Sequence, residues 1–329
     1  MVMKIVLVSS EGVWSVEGVG GSDSLNRRII LGFERLGDKV DKYFARDGLI
    51  GCFSFLYRIF FYRRQGYYVI VYRLKPLLRM TSIVGLFGYK RSVVYLPFEP
   101  KRFKKITLLS YLLISKKRIV VSENLQELIK KHLNVSTYLV EPPVPHDFIK
   151  APLLDRKEFD VIFIGRVDPR KGFGIVLDLF ESLKDKDVKF GFYVVYDKGD
   201  SGVLELINRS REIGANLNVI DIKAYSKELD ENLMRWLDSA EYFVQPYKSI
   251  YSTVDSPLLL YEAASRGLNI LTTDIPQTKN IGCDGRVQID DFVKKATKIV
   301  LGKKKIVSNR MRIRDEVQVA KELKKLMTM

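Results

Sequence analysis

Short runs of β-branched, aliphatic and aromatic residues punctuate the chain, and longer stretches with apolar positions at helical spacing lie between them. The runs at residues 5–8, 40–44, 69–71, 93–96, 119–121 and 138–140 predict strands in the rhythm of parallel βα units. Between the first two lies LNRRIILGFERLG, in which Leu25, Ile29, Phe33 and Leu36 follow helical spacing and Gly37 is placed to end the helix. Ser22, Asp23 or Ser24 can cap its start. The segment EPPVP, residues 141–145, has three prolines that forbid regular structure, and a hinge is expected there. The rhythm restarts at 161–164, 190–195, 219–222, 242–244 and 270–272, and the tail RDEVQVAKELKKLM has the pattern of a final amphipathic helix able to pack on either half.

This alternation predicts an α/β chain of two Rossmann-like domains facing each other across a cleft, with ligands bound beyond the carboxyl ends of the strands. The expected boundaries are an N-terminal domain over 1–145, a C-terminal domain over 146–307, and a terminal helix over 308–329. A length of 329 residues with 47% hydrophobic content suffices for two cores and excludes a disordered chain. The start, MVMKIVLVSSEG, has an apolar core of four residues and reads as a buried first strand, not as a signal peptide or membrane span. Cys52 and Cys283 stand far apart and outside metal-ligand spacing, so neither a zinc site nor a disulfide framework is expected, and a reducing, cytoplasmic compartment fits.

Charge adds an anionic partner to this picture. Lysine plus arginine is 55 against 39 acidic residues, a formal +16, which nucleic acid, a lipid surface or a phosphorylated metabolite could each answer. The excess is uneven: residues 1–150 hold 25 basic and 12 acidic residues, whereas 151–300 hold 21 and 24. Halves that differ in this way suit a chain whose halves meet different ligands better than a diffuse nucleic-acid binder.

The segment FDVIFIGRVDPRKGFGIVLDLF predicts a buried strand ending at Gly165, a basic loop bearing Arg166 and Lys171, and a helix starting near Gly174. Glycines allow close backbone approach, the helix start offers free N–H groups and the cations neutralise phosphate, so the loop has the chemistry of a diphosphate cradle. An ordinary basic βα loop would read the same way. In VDSPLLLYEAASRG, Ser256 is placed as N-cap and Pro257 at the first helical position, with the N–H groups of Leu258 and Leu259 behind them. Glu262 falls in the second turn, where a carboxylate can accept bonds from sugar hydroxyls or simply face solvent. Asp185 and Asp187 form a literal D-x-D in ESLKDKDVKF, between a helix and the next strand; no metal is assigned to them. His132 and His146 read as structural or solvated. FSFLYRIFFYRR, with Arg58, Arg63 and Arg64, reads as a core-packing helix with partial exposure that could also meet an anionic membrane, as could Lys101, Arg102, Lys104 and Lys105.

In order and spacing these segments resemble the GT-B glycosyltransferases of the large family-4-like, sugar-nucleotide-dependent group. GVGGSDS resembles that group's glycine-rich acceptor-side loop, RIVVSENLQELIKKHL its "VSE…L" strand and helix, and VEPPVPHDF its hinge. GRVDPRKG resembles the GR…KG signature, and YEAASRGLNILTTDIP the EAMA-type run. The resemblance implies that Arg166 and Lys171 hold the donor diphosphate, that Glu262 binds the nucleotide ribose, and that Gly20 or Gly21 approaches the diphosphate from the other domain. Two departures stand out. The first glutamate of the E-x7-E pattern is replaced by Val254, with Asp255 one place later, so that either Asp255 substitutes for it at the donor-sugar hydroxyls or that contact is absent, and Ser256 aligns with a glycine. Where many relatives have a histidine, this chain has Glu99, which could orient an acceptor hydroxyl.

The expectation is therefore a retaining, metal-independent glycosyltransferase, moving a sugar from a nucleoside-diphosphate donor to a hydroxyl acceptor on a glycan, lipid or protein, without a separate cofactor. Peripheral contact with an anionic membrane is compatible with this, and nucleic acid is not the expected partner. The alternative is a non-catalytic, basic protein of the same fold that holds nucleic acid or an anionic surface.

Overall fold

The structure, a computed structural model, describes residues 2–10, 21–46, 48–72, 74–96, 105–153, 157–195, 201–220, 227–250, 252–253, 256–280, 284–306 and 312–329, the side chains of 21–23, 105, 106, 201 and 227 excepted. It divides into two units, residues 1–146 with 314–329 and residues 147–313.

The first unit is built on six parallel strands: β1 (Lys4–Ser10), β2 (Lys39–Ala45), β3 (Tyr68–Val71), β4 (Ser92–Leu96), β5 (Arg118–Val120) and β6 (Tyr138–Leu139), in the order β2-β1-β3-β4-β5-β6. The crossover helices are α1 (Gly21–Arg35), α2 (Leu49–Arg64), α3 (Pro76–Leu86), α4 (Lys105–Ile114) and α5 (Glu123–Leu133). Strands buried on both faces carry no polar alternation, which is why they read as continuous apolar runs. Helix α1 starts at Gly21, so Ser22, Asp23 and Ser24 lie inside its first turn instead of capping it. Gly37 ends the segment in the left-handed conformation, at φ 76°.

The second unit opens with α6 (His146–Lys150), whose first residue still belongs to the first unit. Its sheet contains β7 (Phe159–Arg166), β8 (Phe190–Val195), β9 (Leu217–Val219), β10 (Ala240–Gln245), β11 (Asn269–Thr273) and β12 (Arg286–Val287), all parallel, in the order β12-β11-β10-β7-β8-β9. Helices α7 (Phe173–Leu183), α8 (Ser201–Glu212), α9 (Lys227–Asp238), α10 (Leu258–Ser265) and α11 (Phe292–Leu301) connect them. β9 lies two residues earlier than expected, and β12 was not foreseen because two residues carry no periodic signal. Strand order reverses between β7 and β10, the switch point at which open α/β sheets leave a crevice beyond the strand ends.

The final helix, α12 (Glu316–Thr328), returns to the first unit and lies along α1. Asp315 caps it by accepting from the Gln318 amide at 2.7 Å, and Gln318 reciprocates to the Asp315 N–H at 3.0 Å. His146 is structural: its Nδ1 lies 2.9 Å from Asp315 Oδ2. Lys324 donates to the buried Asp38 carboxylate at 2.6 Å, and Arg35 pairs with Glu316. The two helices approach so closely at Gly32 that a Cβ there would stand 2.1 Å from the Glu316 carbonyl oxygen. Gly32→Ala is therefore expected to lower thermal stability by about 1–3 kcal/mol through overpacking, read as a drop in Tm; an unchanged Tm would contradict the α1–α12 contact.

Candidate active site

Sequence places Arg166 and Lys171 on one loop, and the structure shows how the loop is formed. β7 ends with Gly165 and Arg166, still paired with Val194 and Val195 of β8, Val167 turns back into the core, and Asp168 caps a short 3-10 turn over Pro169–Lys171. The Asp168 carboxylate accepts from the Arg170 amide at 2.8 Å and from its guanidinium at 2.8 and 3.1 Å. Those bonds, the guanidinium's above all, hold the carboxyl below its ordinary value. Gly172 then takes the left-handed conformation at φ 78°, where a Cβ would meet the Pro246 carbonyl oxygen at 1.7 Å. Helix α7 starts immediately afterwards, with no side-chain cap.

Pro246 belongs to the loop that follows β10, so the Gly172 contact joins the two loops on either side of the switch point. The Lys248 amide donates to the Arg170 carbonyl at 3.3 Å and strengthens the junction. Tyr247 sits at its centre. Lys171 Nζ lies 5.5 Å from the centroid of its ring, a cation–π contact of about 0.5–2 kcal/mol. The Tyr247 hydroxyl is pushed far above the usual tyrosine range, chiefly by burial and further by the Glu262 charge, against a hydrogen bond with Thr253. The Thr273 hydroxyl, at the end of β11, donates to the Tyr247 carbonyl at 2.7 Å.

Glu262 is only 3% exposed on α10, so the surface-facing alternative does not hold. Pro257 stands at the N-cap of α10 and the helix starts at Leu258, one residue later than expected. The reason is backbone conformation: Ser256 is left-handed, at φ 52°, and Pro257 is extended. Ser256 is buried and turned towards the 3-10 turn at Pro276–Thr278, donating its amide to the Gln277 carbonyl and accepting from Asn280 Nδ2, each at 3.3 Å. Pro257 offers no side-chain cap, and among the described residues no side chain caps the first-turn N–H groups of Leu258 and Leu259.

The structure accordingly places Gly165 and Arg166 at the end of β7, Lys171 on the 3-10 turn that follows, and Ser256, Leu258, Leu259 and Glu262 around the start of α10, with Lys171 over the ring of Tyr247. Arg166 is exposed at the strand end. Gly21 is the first residue of α1. Gly20, Glu99 and Asp255 lie outside the described residues, as do Lys101, Arg102 and Lys104. Asp185 and Asp187 are exposed beyond the end of α7, and among the described residues no group of three His, Cys, Asp or Glu side chains could hold a metal ion. Sequence reasoning missed Tyr247, Gly172, Gln277 and Asn280. The first two had a signal in their position directly after a strand and a basic turn; the last two, on a loop with no motif, had none.

The sequence of the second unit decides the family. Residues 146–315, just over half of the chain, match the family described as Glycosyl transferases group 1. The chain belongs to that family. Its fold is GT-B: solved structures similar over nearly the whole chain include lipopolysaccharide outer core galactosyltransferase WaaB in its apo form, at 15% identity and TM-score 0.64 over 99% of both chains. HepE from Anabaena, in complex with UDP and glucose, is 13% identical with a TM-score of 0.68 over 99% of both chains. Sucrose-phosphate synthase from Thermosynechococcus elongatus is 13% identical with a TM-score of 0.67, covering 99% of this chain and 98% of its own. No curated protein matches the sequence at a significant level.

The Asp168–Arg170 pair gives this glycosyltransferase a pH signature. A depressed carboxyl stabilises the fold above its unfolded pKa, near the ordinary 3.8, and the contribution is lost as the pH falls through the lower folded value. Asp168→Asn should melt below wild type at neutral pH, with the gap closing as the pH falls below the ordinary carboxyl value of 3.8. A gap of constant size across that range in thermal melts would contradict the assignment.

Proposed function

We infer that this glycosyltransferase uses a nucleoside-diphosphate sugar as donor and a hydroxyl group as acceptor, and that the anomeric configuration is retained. The observation that carries the reading is the junction at the switch point, where the close approach of Gly172 to Pro246 sets Lys171 over the ring of Tyr247. In this reading Arg166 and Lys171 neutralise the departing diphosphate, the N–H groups of Leu258 and Leu259 bind its oxygens, Gly165 leaves room for close approach, and Glu262 accepts from the ribose hydroxyls. Asp255 takes the donor-sugar contact of the absent glutamate. The acceptor belongs to the N-terminal unit, where Glu99 orients its hydroxyl.

The reaction is a same-face displacement. The bond between the anomeric carbon and the diphosphate oxygen breaks, the acceptor oxygen bonds to that carbon from the same side, and its proton passes to the departing diphosphate oxygen. No protein nucleophile and no separate cofactor take part. Charge that develops on the diphosphate must be met by cations and backbone dipoles, which is the role of the Arg166–Lys171 loop and the α10 start.

Arg166→Ala and Lys171→Ala should each slow turnover of the cognate donor by about 30 to 1000-fold, the equivalent of about 2–4 kcal/mol of lost transition-state stabilisation. Melting temperatures close to wild type would accompany this loss, because Arg166 is exposed and Lys171 half-buried. Wild-type rates in a donor-hydrolysis or transfer assay would refute the assignment.

A further inference from the structure

The outward side of α2, α3 and α4 remains apolar after folding. On α2, Cys52, Phe55, Ile59 and Tyr62 enter the core, while Ile50, 88% exposed, Phe53, 73% exposed, and Tyr57 follow helical spacing on the solvent side. On α3 the exposed stripe is Leu77, Met80 and Val84, continued by Phe87 at 77% exposure; on α4 it is Leu109 and Leu113. These stripes adjoin, because α2 packs on α3 and α3 on α4. Gly85 permits the first contact, since a Cβ there would stand 3.1 Å from both Ile59 and Leu56. Arg63 fastens it by donating to the Gly85 carbonyl at 2.6 Å while lying over the rings of Phe60 and Tyr89. A helix apolar on both sides is ordinarily buried, and a contiguous exposed apolar surface marks an interaction site.

Charge identifies the partner. Residues 48–122, which contain all three helices, hold 15 lysines and arginines and a single acidic residue, Glu99. Arg58 and Arg64 stand exposed among the aromatic residues of α2, and Lys90 and Arg91 follow α3. Nucleic acid would be met by the cations but has no use for an aliphatic and aromatic stripe. A bilayer with anionic headgroups satisfies both features, taking the apolar side chains into the headgroup–acyl boundary and the cations onto phosphate. We propose that the α2–α4 side of the N-terminal unit docks on an anionic lipid bilayer. The protein lies on the surface through this side, for no described helix is long and apolar enough to cross a membrane. The proposal does not depend on the identity of the sugar donor.

Flotation of the full chain with vesicles tests it. Vesicles of phosphatidylcholine containing phosphatidylglycerol should carry the protein, phosphatidylcholine alone should carry little, and added salt should weaken the binding. The variant Phe53→Ser, Met80→Ser, Phe87→Ser should lose about tenfold or more in partition coefficient while its melting temperature and its turnover of a soluble donor stay at wild-type values. Should that variant fail to fold, Arg58→Glu with Arg64→Glu tests the same surface and should abolish the preference for the anionic vesicles. Absence of vesicle binding, or binding untouched by these substitutions, overturns the proposal. So does salt-sensitive retention of duplex DNA in place of vesicles, and so does a concentration-dependent dimer that the triple substitution abolishes.

Discussion

The Pro246 carbonyl oxygen would lie 1.7 Å from a Cβ at position 172, so the loop after β7 and the loop after β10 can meet only while that residue is glycine in its left-handed conformation. Everything proposed for the second unit follows from that approach. It sets Lys171 above Tyr247, brings the Lys248 amide to the Arg170 carbonyl, and fixes both at the carboxyl ends of the strands where the sheet order reverses. A cation and a buried phenol thereby come to one end of the sheet, where α10 also starts at Leu258 with no capping side chain among the described residues. Such a combination favours a polyanion with polar appendages over an apolar ligand.

The surroundings hold this arrangement from below. Arg266, just past α10, is fully buried and forms a bidentate pair with Asp238 at 2.6 and 2.7 Å. Its remaining N–H groups donate to the carbonyls of Phe148, Ala151 and Pro152 at 2.9 Å. Breaking a buried pair of this kind costs about 3–5 kcal/mol, so the position of α10 is firmly tied to α6 and the end of α9. The Ser256 turn is held against the Gln277–Asn280 segment on the other side. The helix that bears Glu262 is therefore fixed at both ends, which lets a buried carboxylate face a defined partner without moving. In the first unit α12 plays a comparable part, closing over α1 where Gly32 leaves room for its backbone.

Much of this was legible in the sequence, for identifiable reasons. Strands buried on both faces, such as β1, β7 and β8, announce themselves as unbroken apolar runs, and Gly37 marks the end of α1 because little else tolerates its backbone. The glycine and cations of GRVDPRKG mark the strand end and the turn after it, where the structure has Arg166 as the last residue of β7 and Lys171 on the 3-10 turn, and the resemblance supplied the rest of the family's pattern. What stayed hidden depends on contacts distant in sequence. The cap of α10 could not be foreseen, since Ser256 follows Gln277 and Asn280 rather than its own helix. Burial of Glu262 is a property of packing, and one glutamate among leucines and alanines reads equally well as solvated. Tyr247 gains its place from loops that meet only in three dimensions. On α2 the aromatic residues point both ways; periodicity could not separate the core side from the exposed one, because both are apolar.

The claim on which the account rests is that the junction beside Lys171 and the α10 start recognises a diphosphate. Calorimetric titration of the whole chain with the common nucleoside diphosphates and the matching monophosphates tests it most directly. The account predicts that one nucleoside diphosphate binds at least about tenfold more tightly than its monophosphate, the worth of one or more charge-assisted phosphate contacts. Equal affinity for the two, or no binding of any nucleoside diphosphate, would contradict it.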